Sequence, residues 1–600
     1  MPPMEPNESI ALRAQGAELI DEGVRYRTWC KHTNLSVVVV DRDQKVLRRI
    51  PLEADGGGYF SAIDPDGRAG DLYQYKFGES HGWPDPASRF QPLGVHGPSM
   101  VVDANAFSWS DDDWQAPPYS ELIIYELHIG TFTNEGTFRA TIDKLPELAA
   151  LGVNAIEIMP IADFPGDRNW GYDGVSLYAP SRAYGTPDDL RSLADAAHAH
   201  GLAVILDVVY NHMGPDGNYL GVYHSGYFNP KHQTPWGAGL HFEEIAVREF
   251  FADNAPYWMR EFHIDGFRLD ATHAIEDFSE RHILAEIAER VHSLGGFLVA
   301  EDERNEPNLL RSVDRGGLGF NGVWSDDFHH IVRVMLTRQR EGYYENFRGT
   351  ADELTETLEH GWLFRGQRRR EDGHLRGGES IEFAPEQFIY CISNHDQVGN
   401  RAFGERLGHI VEPAAYRAAS ALLCLAPYTP MLFMGQEWNA STPFQFFTEH
   451  NAQLGNLITQ GRRREFEHFG AFRDPQVRER IPDPQSESTF LNSKLRWDEL
   501  RKPEHAEILA LYREFLRLRR THPALRDRSR SNWNVRQTDN GIVLLEFGDA
   551  ITVAIDLLGG HEAPILAGKW KPLLSSNDQN FGGDASADFR VPTTLVYDRA

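Results

Sequence analysis

The chain has 600 residues, 41% apolar and 24% charged, which is ample for globular cores and too much for one, so two to four domains are expected. Its 59 basic and 88 acidic residues leave a net charge of -29, a field that repels nucleic acid and anionic membranes and suits a neutral substrate better than a phosphorylated one. No apolar run approaches the roughly 20 residues that cross a bilayer. Met1 to Glu8 has neither the basic nor the apolar segment of a secretory signal. Three scattered cysteines, Cys30, Cys391 and Cys424, read as buried thiols in a reducing compartment, so the expected location is cytoplasmic. The runs Arg368-Arg369-Arg370 and Arg462-Arg463-Arg464 are short and isolated and read as solvated faces.

In chain order, the first hundred residues read as all-β. Val24 to Cys30, Ser36 to Asp41, Val46 to Ile50 and Leu72 to Phe77 are short strand patterns parted by Gly, Pro and Asp, the spacing of a small sandwich over residues 1–110. Tyr73, Tyr75 and Trp83 read as packing residues of that sandwich rather than a polysaccharide surface. Asp111 to Pro118 has the composition of a linker. From Glu121 strands alternate with helices. The strands are Leu122 to His128, Val153 to Met159, Ala203 to Val209, Asp265 to Asp270, Phe297 to Glu301, Gly322 to Asp326, Phe388 to Asn394 and Pro430 to Met434. Helices are expected at Phe138 to Ala150, Asp188 to His200, about Phe242 to Phe262, up to about Leu294, and near Phe328 to Thr337, Pro413 to Leu425 and His505 to Arg520. Eight β/α units predict a closed (β/α)8 TIM barrel over residues 111–525, with its chemistry where strands run into loops. An open doubly wound sheet would show a Gly-rich phosphate loop after its first strand, and none is present. Gly541 to Phe547, Ile551 to Leu557 and Pro592 to Tyr597 predict a small β domain over residues 526–600.

Four of the barrel strands close on acids: Asp207, Asp270, Glu301 and Asp396. Side chains alternate along a strand, so Arg268 and Asp270 project from the same side of theirs. A cation two residues before a carboxylate holds it ionised and aims it, as a nucleophile requires. Cleavage of a glycosidic bond needs two carboxyls, because positive charge builds on the anomeric carbon and negative charge on the leaving oxygen. Asp270 fits the nucleophile. Glu301, one strand along, fits the proton donor, its pKa expected to be raised by the negative charge of its neighbours. Asp207 reads as the residue that orients Arg268.

Asp207-Val-Val-Tyr-Asn-His212, Gly266-Phe-Arg-Leu-Asp270, Glu301 after Phe-Leu-Val-Ala, and Asn394-His-Asp396 together resemble the four signature regions of the α-amylase family of glycoside hydrolases. The resemblance runs over essentially the whole chain. It implies Asp270, Glu301 and Asp396 as the catalytic acids, Asp396 gripping sugar hydroxyls, His212 and His395 as neutral donors at the cleaved sugar, and Tyr172 as its stacking platform. Tyr125-Glu-Leu-His-Ile-Gly130, Asn169-Trp-Gly-Tyr-Asp173, Trp324-Ser-Asp-Asp-Phe-His-His330 and Pro443-Phe-Gln-Phe-Phe-Thr-Glu-His450 narrow the likeness to those members that release trehalose from trehalose-ended maltodextrins. Trp324, Asp326, Asp327, Phe328 and His329 are accordingly expected at the trehalose end of the cleft. Gln436 departs from the pattern, standing where many relatives carry Glu, and bears on a local contact.

The implied partner is a maltooligosaccharide with a trehalose end, with no nucleic acid and no membrane; the sequence does not fix the oligomeric state. The implied reaction is retaining hydrolysis of the α-1,4 bond next to trehalose and needs no cofactor. The ligand sets of a catalytic zinc are absent, while a structural cation held by scattered carboxylates stays open. A branching enzyme, passing the glycosyl group to a sugar 6-hydroxyl, is the alternative. A catalytically dead glucan-binding relative would lack one of the three acids, and all three are present.

Overall fold

The computed structural model describes residues 15–234, 237–369, 373–585 and 589–599. Met1 to Glu8 and Arg370, used above, lie outside the described residues. At the centre, eight parallel strands close into a barrel: β1 (Ile124–Leu127), β2 (Ala155–Ile158), β3 (Ala203–Val208), β4 (Gly266–Leu269), β5 (Phe297–Ala300), β6 (Gly322–Trp324), β7 (Phe388–Tyr390) and β8 (Thr429–Phe433), with β8 pairing back to β1. These are the eight expected strands; the first seven are each a residue or more shorter at the ends, and β8 is the expected length moved one residue toward the N-terminus. Ile124, Ala155, Ile205, Val299, Ile389 and Met431, from alternate positions along their strands, pack together as an apolar cluster in the barrel. Each of the Ile, Val and Met side chains so buried contributes about 1.5–3 kcal/mol. That packed cluster keeps the barrel rigid, which is what positions the acids at its mouth.

Two predicted helices are each broken in two. Phe138 to Ala150 is a helix Phe138–Ile142 and a second, Leu145–Leu151. Phe242 to Phe262 is Ile245–Ala252 followed by Asn254–Phe262. The cause is the same: Pro146 and Pro256 lack an N–H, and each ring would strike the carbonyl four residues back, at Ile142 and Ala252, where the first helix of each pair stops. Gly152 closes Leu145–Leu151 in the left-handed conformation at φ 107°. The helix ending near Leu294 starts only at Ile283, which leaves residues 271–282 as a loop over the barrel mouth.

Two four-stranded antiparallel sheets precede the barrel. Tyr73 and Tyr75 are fully buried between them, Tyr73 donating to Asp85 at 2.7 Å, as packing residues should. A five-stranded sheet follows the barrel and sits against the helix Pro413–Leu425, where Thr594 donates to the Ala418 carbonyl at 2.9 Å. The three cysteines are free and buried. Among the described residues no helix is long and apolar enough to cross a membrane.

Candidate active site

The acids meet around one cation. Arg268 projects from β4 into the barrel with 0% of its side chain exposed. Its Nη1 donates to both oxygens of Asp207, at 2.9 and 2.8 Å, and to Asp270 Oδ1 at 2.8 Å. Its Nη2 lies 3.3 Å from Glu301 Oε2. The guanidinium thus carries Asp270 and Glu301 on its two terminal nitrogens, a fixed fork that a lysine could not reproduce. Exposure rises from 1% at Asp207 to 14% at Asp270, 21% at Glu301 and 32% at Asp396, so the last three reach the mouth and Asp207 supports from beneath.

Glu301 is pushed up to about 8. Burial is the largest cause, Arg268 opposes it, and Asp270 and Asp396 add to it. The sequence reading credited the neighbours alone; burial at the barrel mouth does more. The backbone N–H of Ala271 donates to Glu301 Oε2 at 2.7 Å, aimed there because Ala271 adopts the left-handed region at φ 41°, ψ 55°.

His395 differs from expectation. Burial alone would lower its pKa, but Asp396 and Glu126 carry it up to about 9, which favours the protonated ring over the neutral donor expected. Glu126 holds it twice, accepting from its backbone N–H at 3.0 Å and contacting Nδ1 at 2.5 Å. His395 Nε2 meets the Tyr172 hydroxyl at 2.8 Å and Asp396 Oδ1 at 3.5 Å. Tyr172 donates to Asp207 Oδ2 at 2.6 Å and lies stacked on the His395 ring, centroids 5.2 Å apart. Burial lowers the pKa of His212, whose Nε2 lies 3.0 Å from the Tyr172 carbonyl.

A family model described as "Alpha amylase, catalytic domain" matches residues 104–236. A malto-oligosyltrehalose trehalohydrolase of Deinococcus radiodurans is 47% identical, over 85% of this chain and 83% of its own length. One of Saccharolobus solfataricus is 41% identical, over 84% and 87% respectively. The chain belongs to the malto-oligosyltrehalose trehalohydrolase family. A crystal structure described as a putative α-amylase from Salmonella typhimurium superposes with a TM-score of 0.88 at 37% identity, over 98% of this chain and all of the other.

Two stretches that narrowed the likeness to this family meet in space. Asp173 Oδ2 accepts from Asn169 at 2.7 Å and Thr448 at 3.2 Å and contacts His450 at 3.2 Å, tying the loop after β2 to the one after β8. Burial would raise Asp173, and these partners, His450 foremost, hold it below the usual carboxylate range. Gln436 donates to the Tyr512 hydroxyl at 2.8 Å and accepts from the Phe433 N–H at 3.3 Å, so the departure there is satisfied locally.

The segment after β6 divides. Trp324 is not a cleft wall: its ring lies under Arg268, 4.2 Å from the guanidinium carbon. Asp327 and Phe328 are fully buried and turned away from the mouth, because a helix starts at Asp326 and rotates each residue by about 100° from the last. Phe328 stacks on Tyr390 at 4.2 Å. Asp327 Oδ2 accepts from Asn305 and from the N–H groups of Leu363 and Phe364 at 2.7, 2.8 and 3.1 Å, and Oδ1 from Arg376 at 3.0 Å. His329 is 2% exposed. Only Asp326 of this group faces the acids; burial, then Asp396, pushes it up to about 7. Asp327→Ala strands Arg376 and two backbone donors, and is expected to cost about 3–5 kcal/mol. Denaturant unfolding checks this, and an unchanged midpoint with a raised KM would return Asp327 to the cleft.

Sequence reasoning passed over Asn211, whose Nδ2 donates to Asp270 Oδ2 and to the Asp270 carbonyl, both at 2.8 Å. It lies inside the quoted Asp207 to His212 motif, one residue before His212. Among the described residues no group of three or more His, Cys, Asp or Glu has a metal-holding arrangement.

Proposed function

We propose that the protein is a retaining glycoside hydrolase that cuts the α-1,4 bond next to the terminal trehalose of a maltooligosyltrehalose, releasing trehalose and a maltooligosaccharide. The observation that carries the chemistry is the pair of carboxyls, Asp270 and Glu301, on the two prongs of one buried guanidinium. The names of its relatives carry the substrate.

Asp270, paired with Arg268 and aimed by Asn211, attacks the anomeric carbon. The bond to the leaving oxygen breaks as Glu301 gives that oxygen its proton, and trehalose departs. Glu301, now ionised, takes a proton from water as the water attacks the same carbon and frees Asp270. Two displacements restore the α configuration. Asp396, between His395 and the open mouth, grips hydroxyls of the distorted sugar; Tyr172 and His212 frame that ring. Asp326 meets the trehalose end, while Trp324, Asp327 and Phe328 brace the site from behind.

Incubation with maltopentaosyl trehalose tests the reading. Free trehalose and maltopentaose in equal amounts are expected. New α-1,6 linkages in amylose without trehalose release would favour a branching enzyme instead.

The pH dependence follows from Glu301. Its proton must be present, so kcat/KM is expected to fall as pH rises through about 8. Because the folded carboxyl binds its proton more tightly than the unfolded one at 4.5, the group's contribution to stability also declines from pH 4.5 to about 8 and is flat above. A pH series of initial rates checks the first, and a basic limb absent up to pH 10 would contradict it.

A further inference from the structure

Glu157 lies on β2, one rung from Glu126 of β1 on one side and Ile205 of β3 on the other, facing the barrel axis. It is 1% exposed, and among the described residues neither carboxyl oxygen has a hydrogen-bond partner. The mechanism above does not use it. Three other buried donors, Arg268 Nε, Trp324 Nε1 and the Tyr119 hydroxyl, are also without partners among the described residues. Arg268 and Trp324 are stacked at 4.2 Å. The Tyr119 hydroxyl sits 1.8 Å from where a Cβ on Gly322 would be, so glycine is required there and the phenol comes up beneath Trp324 on β6. Glu157 acts electrostatically on Tyr119, and is itself acted on by Glu126, Asp207, Arg268 and His395.

Charge counting decides its state. Glu126, Glu157 and Asp207 are buried in the barrel and Asp270, Glu301, Asp326 and Asp396 lie toward its mouth, around two basic groups, Arg268 and His395. Seven carboxyls against two basic groups cannot all be ionised where burial is this deep. Asp207 and Asp270 lie on Arg268, and Glu126 and Asp396 on His395. Glu301 keeps its proton for the leaving group. Glu157, buried beside Glu126 and with no cation in contact among the described residues, keeps its proton too.

We infer that Glu157 is a positioning residue: a neutral carboxylic acid that, through ordered water in the barrel interior, ties Arg268 Nε to Trp324 Nε1 and the Tyr119 hydroxyl, and so holds the guanidinium whose far edge aims Asp270 and Glu301. A buried water takes two to four polar partners, and these groups supply them. The inference rests on the hydrolase reading for its kinetic arm only. A neutral acid needs a neutral replacement, so Glu157→Gln is expected to keep kcat within about 3-fold and leave the basic limb unmoved. Glu157→Leu has no polar atoms for the bridge, and kcat is expected to fall about 10- to 100-fold with KM within about 2-fold, the signature of misplaced catalytic groups.

Infrared difference spectra of wild type against Glu157→Gln, without substrate, are expected to show loss of a protonated-carboxyl carbonyl band. That arm stands even if the substrate is misassigned or Glu157→Leu does not fold. Absence of the band, a basic limb displaced in Glu157→Gln, or full kcat in Glu157→Leu would each overturn the inference.

Discussion

Asp270→Ala is expected to lower turnover by about four to six orders of magnitude while the protein stays folded, because no covalent intermediate can form without the nucleophile. The fold should survive for a local reason. Asp270 stands at the end of β4 with part of its side chain at the mouth, and Arg268 keeps both oxygens of Asp207 when Asp270 is gone. Asn211 loses one acceptor but still donates to the backbone carbonyl of residue 270. Near-unchanged circular dichroism and unfolding midpoint, with no measurable trehalose release, is the expected pair of results. Retention of more than about a tenth of the wild-type rate would take Asp270 out of the nucleophile's role.

Glu301→Gln separates the two halves of the reaction. On the natural substrate kcat is expected to drop about 10²- to 10⁴-fold, the usual worth of a positioned proton donor. The amide oxygen still accepts the Ala271 N–H and the shape is kept, so binding changes little. On a maltosyl fluoride, whose fluoride leaves without a proton, the first displacement should run near the wild-type rate. The second should stall, because no base activates water, and added azide should restore turnover by attacking in its place. The basic limb near pH 8 should vanish with the carboxyl. Equal losses on both substrates, with no effect of azide, would mean that Glu301 is not the proton carrier.

The barrel was legible because it depends on local pattern, and an apolar strand that runs out into an acid, as at Asp270 and Glu301, puts that acid at the mouth whatever the rest of the chain does; Asp396 stands instead on a short helix, His395–Gly399, beyond the end of β7 at Tyr390. The supports were not, because they join distant segments. Glu126 meets His395 across 269 positions, and nothing in either neighbourhood announces that the pair would favour the protonated histidine. The proline breaks at Ile142 and Ala252 were readable from Pro146 and Pro256 and were missed because apolar spacing runs straight through them. Asp327 and Phe328 were misplaced for another reason: a strand end and a helix start look alike in the sequence, yet the second turns successive side chains off the cleft. Trp324 was placed beside the substrate, and it lies instead beneath the arginine that aims the acids.

The central claim is that Asp270 and Glu301 act in turn on one sugar through a covalent intermediate. Mass spectrometry of the Glu301→Gln protein after brief reaction with maltosyl fluoride tests this most directly. The account predicts one maltosyl group, mapped by peptide digestion to Asp270. No adduct, or an adduct on a different carboxyl, would contradict it.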